Sequence, residues 1–204
     1  MDTDTFNWFN RLADDTAWLH SPAKAYAVYG ILAFGVLGLL AWWDARRADD
    51  PPRAVAAVAW AGMAPLLGAL MVQLIGQAVD RARPTAVIPG THLLLAKTAD
   101  FSFPSDHVTA TTSVAVALIL AGRLLRHRWY GWVGLGLSVL MALDRVYVGA
   151  HWPTDVLAGL ALGALVAWLP ARPMTALLSK VTTWLAGTPL RWFVSATALG
   201  ATTT

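Results

Sequence analysis

Two histidines, two arginines and an aspartate stand at spacings that suit phosphoryl chemistry. His151 and Asp155 are four residues apart, on either side of Pro153. Proline favours the first turn of a helix, so a helix is predicted to begin at Trp152 or Pro153, with His151 and Asp155 on one face. A carboxylate bonded to one imidazole nitrogen would fix the tautomer and leave the other nitrogen free as nucleophile or base. Ser105 follows Pro104 and is expected to cap a second helix. The N–H groups after it, beginning at Asp106, would face an anion, with His107 in the same turn. Arg83 and Arg145 offer planar donor forks matched to phosphate oxygens. Together these are the parts for metal-free phosphoryl transfer through a phosphohistidine.

Each residue also has an ordinary reading. Arg81 and Arg83 could anchor a helix end at a membrane interface. His92 and His127 read as solvated loop residues, and a lone His151–Asp155 pair could be a structural hydrogen bond. His107, His151 and Asp155 could hold a metal, although no two of them have a recognised ligand spacing. Their convergence argues for a site. The polar residues that a membrane topology leaves unexplained fall in two segments, 80–107 and 144–155, the first also holding Lys97, Asp100 and Ser102.

The elements that must position these residues are membrane helices. Of 204 residues, 57% are apolar and 13% charged, against about 25% charged in soluble domains, and the mean hydropathy is +0.54. That excludes an ordinary soluble domain and predicts an all-α integral membrane protein, one domain over 1–204. Five apolar runs are expected to span, at 25–43, 54–79, 108–122, 129–143 and 156–171. Residues 174–199 form either a sixth span or an interfacial, broken segment. Residues 1–24 lack the basic start and apolar core of a signal peptide and read as an interfacial amphipathic helix. Gly159 and Gly163 could let two helices approach closely.

Basic residues set the orientation. Arg46, Arg47 and Arg53, then Arg123, Arg126 and Arg128, then Arg172 and Lys180 fall on one side, predicted to be cytoplasmic. Both polar segments would then face outward from the cytoplasmic membrane. The net charge of +3 is absorbed by this sorting and points to no nucleic-acid partner. Without cysteine there is no disulfide or thiolate metal site. Without an internal repeat, a transporter of inverted-repeat design is disfavoured.

These residues resemble the signature of the type 2 phosphatidic acid phosphatase superfamily, K-x6-R-P, P-S-G-H and S-R-x5-H-x3-D. The first block keeps Arg83-Pro84, the second reads Pro104-Ser105-Asp106-His107, and the third reads Asp144-Arg145, His151 and Asp155 with the family spacing. The match covers about 70–165. Three positions depart: Gly76 stands where the lysine falls, Asp106 replaces glycine and Asp144 replaces serine. Both aspartates are expected to turn away from a diphosphate or to pair with an arginine. The stretch around P-S-D-H is most similar to undecaprenyl-diphosphate phosphatases of the bacitracin-resistance type. The resemblance implies a cofactor-free membrane lipid phosphatase, with a lipid phosphate or diphosphate and membrane lipid as partners. It implies attack by His151, ring orientation by Asp155, and protonation of the leaving oxygen by His107. Arg83, Arg145, Ser105 and the N–H groups around Asp106 would hold the phosphoryl oxygens. Undecaprenyl diphosphate is the expected substrate. A phosphatidate, phosphatidylglycerophosphate or other prenyl phosphatase is the alternative, and a non-catalytic lipid-head-group binding or transport protein lies further off.

Overall fold

A computed structural model describes residues 2–96 and 100–196; Lys97, Ala99 and the last residues of the 174–199 segment lie outside them. The described residues form helices joined by loops, with no strand. The helices are α1 (Asp2–Asp15), α2 (His20–Tyr29), α3 (Ile31–Ala45), α4 (Pro51–Val79), the single turn α5 (Pro84–Val87), α6 (Asp106–Ala121), α7 (Trp129–Tyr147), α8 (Pro153–Trp168) and α9 (Ala171–Ala186).

α6 is the central helix, packed against α4, α7 and α8. It is rich in Thr and Ser yet buried, because Thr109, Thr111 and Ser113 return their hydroxyls to carbonyls of their own helix. That satisfies groups that would otherwise be costly to bury. Glycines let its neighbours close in. A Cβ on Gly159 would meet the Ser105 carbonyl at 2.9 Å, and one on Gly163 the Thr109 carbonyl at 2.5 Å, so α8 lies directly on the α6 backbone. Gly131 of α7 is as tight, its Cβ position 2.4 Å from the Ile119 nitrogen.

α4 starts at Pro51 and Pro52, with Asp50 accepting the Arg53 N–H at 3.2 Å, and ends where Asp80 turns left-handed at φ 46°. By length and composition alone, the stretch from Pro51 to Val87 is able to cross a membrane. Two bent pairs, Ala17–Tyr29 with Ile31–Ala45 and Pro153–Trp168 with Ala171–Ala186, pass the same test when each is taken as one unit.

The first of these pairs corrects the uninterrupted span expected at 25–43. The chain bends by 52° at Gly30, where a Cβ would lie 2.5 Å from the Tyr26 carbonyl and 2.9 Å from Met141. Tyr26 is tied to α7 by its hydroxyl on the Leu137 carbonyl. The bend therefore sits where α2 is drawn onto α7. In the second pair, α9 leaves α8 at 48°. Trp60 of α4 bonds the end of α8 at the Ala167 carbonyl, whereas Thr182 of α9 bonds Pro52, two turns nearer the start of α4. α9 thus descends obliquely along the first turns of α4.

α1 lies across the other end of the bundle. Phe6 is fully buried against Trp152, and Asn10 bonds the His92 backbone in both directions. The two histidines read as solvated both have partners: His92 bonds Asp14, and His127 bonds Asp44 at the far end of α3. Acidic residues on neighbouring elements, invisible to local sequence reading, account for both.

Candidate active site

His151 sits in the loop between α7 and α8. The Arg145 carbonyl accepts the backbone N–H groups of Ala150 and His151, and Gly149 supplies the left-handed turn at φ 80°. Any side chain at Gly149 would meet the His92 carbonyl at 2.5 Å, so the turn needs glycine for space as well as for conformation. The ring is buried, and Nδ1 lies 2.8 Å from the Ser102 carbonyl. A carbonyl only accepts, so Nδ1 carries the proton and Nε2 keeps its lone pair. Nε2 is 3.3 Å from Arg83 and 4.0 Å from the Asp106 carboxylate.

Asp155 does not orient the ring in the manner expected. Its carboxylate is 3.7 Å from Nδ1, beyond hydrogen-bonding reach, because other donors hold it. Ser102 donates its hydroxyl at 2.5 Å, Trp152 its backbone N–H at 2.9 Å and Arg81 its guanidinium at 2.6 Å. Ser102 is the intermediary: its carbonyl takes His151, its hydroxyl takes Asp155, and its N–H goes to the Arg81 carbonyl.

Asp106 supplies the second correction. Its carboxylate turns toward the histidines, accepting the His107 N–H at 2.7 Å and lying 2.9 Å from His107 Nδ1. His107 therefore has a carboxylate of its own, and its N–H is withdrawn from any anion site. Asp144 is buried beside Arg145 with one oxygen lacking a partner. Ser105 holds the N-cap position of α6 but makes no capping bond, and its buried hydroxyl has no partner. The space left by the first-block lysine is also filled: a Cβ on Gly76 would be 3.0 Å from the Phe101 ring.

The arginines complete the cluster. Arg83 is held between Asp100 and the Ala150 carbonyl, with one arm toward His151. Arg145 is buried, reaches His107 Nδ1 at 3.1 Å and leaves its Nε without a partner. Arg83, Ser105, Asp106, His107, Arg145 and His151 thus meet at one end of the bundle, with Asp155 behind them. Burial pushes the His151 pKa down; Asp155 and Asp106 oppose this, and the charges of Arg83 and Arg145 add to it. The imidazole is therefore neutral at neutral pH and available as a nucleophile. Among the described residues, no three His, Asp or Glu side chains are grouped to hold a metal ion.

Sequence reading missed Ser102 and Arg81. From sequence alone Ser102 is only a polar loop residue, and Arg81 only an interface anchor. Both act through contacts to α8, more than fifty positions away, and the one available signal was their place within the segment that also carries Arg83 and His107.

Residues 57–178 match the PAP2 superfamily. The chain is 30% identical to the bacitracin transport permease protein BcrC of Bacillus licheniformis, over 82% of this chain and 77% of that protein. It is 29% identical to the undecaprenyl-diphosphatase BcrC of Bacillus subtilis (strain 168), over 83% and 82% respectively. Among solved structures, a transmembrane PAP2-type phosphatidylglycerolphosphate phosphatase from Bacillus subtilis overlays with a TM-score of 0.61. That overlay covers 85% of this chain and 86% of that one at 20% identity, a likeness of fold.

Proposed function

Because this chain belongs to the PAP2 superfamily and is a membrane lipid phosphatase, we propose that it converts undecaprenyl diphosphate to undecaprenyl phosphate through a phosphohistidine. The observation that carries the reading is the state of His151. Its Nδ1 is committed to a carbonyl, and its Nε2 stands beside Arg83 in a buried cluster where Ser105 and Arg145 hold donors with no partner. Buried donors left unpaired are costly unless something accepts from them. Phosphoryl oxygens are suited to that role.

In the proposed reaction, His151 Nε2 attacks the terminal phosphorus and the bond to the bridging oxygen breaks. Protonated His107, held by Asp106, gives its proton to the departing lipid phosphate. Water, giving its proton to the now neutral His107, then cleaves the phosphorus–nitrogen bond, releasing inorganic phosphate and restoring both histidines. Arg83, Arg145 and Ser105 stabilise charge on the transferring group, which supplies much of catalysis in phosphoryl transfer. Asp155 acts behind the nucleophile through Ser102.

The choice of lipid is supported by the BcrC relative named as an undecaprenyl-diphosphatase and by Asp106 in the second block. An apolar groove of about 810 Å³ between α3, α4, α6 and α9 reaches Ala110 and Thr111, one turn below His107. It suits the first part of a prenyl tail. The basic loops support a site on the outer face of the cytoplasmic membrane, and in this reading the chain crosses five times, with α1 and α9 at opposite interfaces.

Phosphate release from a panel of purified lipid phosphates and diphosphates in detergent tests the reading. Undecaprenyl diphosphate should be the best substrate, and His151→Ala should abolish both turnover and any acid-labile phosphoenzyme. Faster turnover of phosphatidate or phosphatidylglycerophosphate would reassign the substrate. No release from any lipid would leave the binding or transport reading.

A further inference from the structure

Arg81 lies beside the site with its guanidinium committed to protein partners. Its guanidinium donates to Asp155 at 2.6 Å and to the Thr154 hydroxyl at 2.6 Å, and it is paired with Asp2 of α1. The same group lies 5.2 Å from the centre of the Trp152 ring, within cation–π range. Asp155 is wholly buried. Of its donors Ser102, Trp152 and Arg81, the first two are neutral, so Arg81 supplies the full positive charge. On its other side Asp155 lies 3.7 Å from Nδ1 of His151.

We propose that Arg81 is a positioning residue for phosphoryl transfer: by neutralising the buried Asp155, it prevents that carboxylate from drawing a second proton onto His151. This inference rests on the phosphatase reading above. A buried carboxylate takes its counter-charge from whatever is nearest, because an isolated ion in the interior is expensive. With Arg81 in place the counter-charge is the guanidinium, and the imidazole stays neutral. Without Arg81, the nearest source is a proton on His151, whose imidazolium has no lone pair at Nε2 and cannot attack phosphorus. The other charges facing His151 do not replace this control. Arg83 and Arg145 oppose protonation and Asp106 favours it, with His107 beyond Asp106 and Asp100 behind Arg83. None of those groups bonds Asp155. Asp2 lies behind Arg81 and limits how much of its charge Asp155 receives. The Ser102 N–H on the Arg81 carbonyl gives the same residue a second hold on the His151 ring, through the backbone.

The test is the pH profile of kcat/KM between about pH 5 and 9, on undecaprenyl diphosphate or whichever lipid phosphate the wild type cleaves best. Arg81→Gln should move the acid limb up by about one unit or more, the scale of an adjacent opposite charge. On the acid side its rate then falls relative to wild type by up to about tenfold for each pH unit that the limb moves, and the ratio recovers toward pH 9. Arg81→Lys, which keeps the charge, should stay within about half a unit of wild type. The double variant Arg81→Gln/Asp155→Asn removes the carboxylate charge as well, so its limb should return to the wild-type position or below, and it remains informative if Arg81→Gln alone fails to fold. Equal loss at every pH in Arg81→Gln, or an acid limb in the double variant above wild type, overturns the proposal. A wild type that cleaves no lipid refutes the phosphatase reading. An active wild type with an unmoved Arg81→Gln limb refutes only the role of Arg81.

Discussion

Gly163→Ala tests whether the α6–α8 contact sets the geometry of the site. The new Cβ would stand 2.5 Å from the Thr109 carbonyl, 2.8 Å from Thr112 Cβ and 3.1 Å from the Ser113 nitrogen. Two of these atoms are backbone and cannot rotate away. Relief to ordinary contact requires the helices to part by roughly 0.9 Å, since repulsion is steep below van der Waals separation. Overpacking of this kind costs about 1–3 kcal/mol, which lowers Tm by about 2–12 °C for a chain of this size. His107 is carried by α6, and His151 precedes α8, so the same displacement separates the two histidines. A misplacement near 1 Å costs about a hundredfold in rate. Phosphate release in detergent should show kcat reduced by about 10- to 100-fold, with tryptophan fluorescence reporting the fall in Tm. Gly136→Ala is the control, because a Cβ there meets nothing within 4 Å; its rate should match wild type. Wild-type kcat and Tm in Gly163→Ala would refute the reasoning.

Two further outcomes follow from the geometry. The acid limb of wild-type kcat/KM should have its midpoint below about pH 6.5, the ordinary histidine value, because burial keeps His151 neutral. The sign for stability is the same: below that pH the unfolded chain binds a proton that the folded site refuses, so stability falls as the solution is acidified. A midpoint above 7 would contradict both. For topology, single cysteines at Thr91 and Arg126 in an otherwise cysteine-free chain should be labelled in intact cells by an impermeant thiol reagent at 91 only; labelling at 126 only would invert the orientation.

The spacing of the third block was enough to set His151 before a helix and Asp155 inside its first turn, because proline and helical periodicity act locally. Gly159 and Gly163 were likewise legible as a close-packing pair. What escaped was everything decided by contacts between distant segments. Nothing around Asp155 reveals that Ser102 and Arg81 saturate it, leaving a backbone carbonyl to hold the imidazole. The charge of Asp106 predicts that it turns away from a diphosphate or pairs with an arginine, yet His107 beside it supplies the partner. The bend at Gly30 sits where Tyr26 is tied to Leu137 of α7, more than a hundred residues on, within a run whose hydropathy is unbroken. The lysine gap at Gly76 could be seen in the sequence, but the Phe101 ring that fills it could not.

The pairing of Asp2 with Arg81 and Thr154 bears on the order of biosynthesis. α1 leaves the ribosome before its partners, which emerge about 80 and 150 residues later. Until α8 has been made, Phe6 has no Trp152 to cover it and Asp2 has no site to close. α1 must therefore wait for α8 before either contact can form. The contacts that close the site thus join segments from both ends of the catalytic region. A fragment trimmed to the motif-bearing region would carry every signature residue and still lack the segment that locks them.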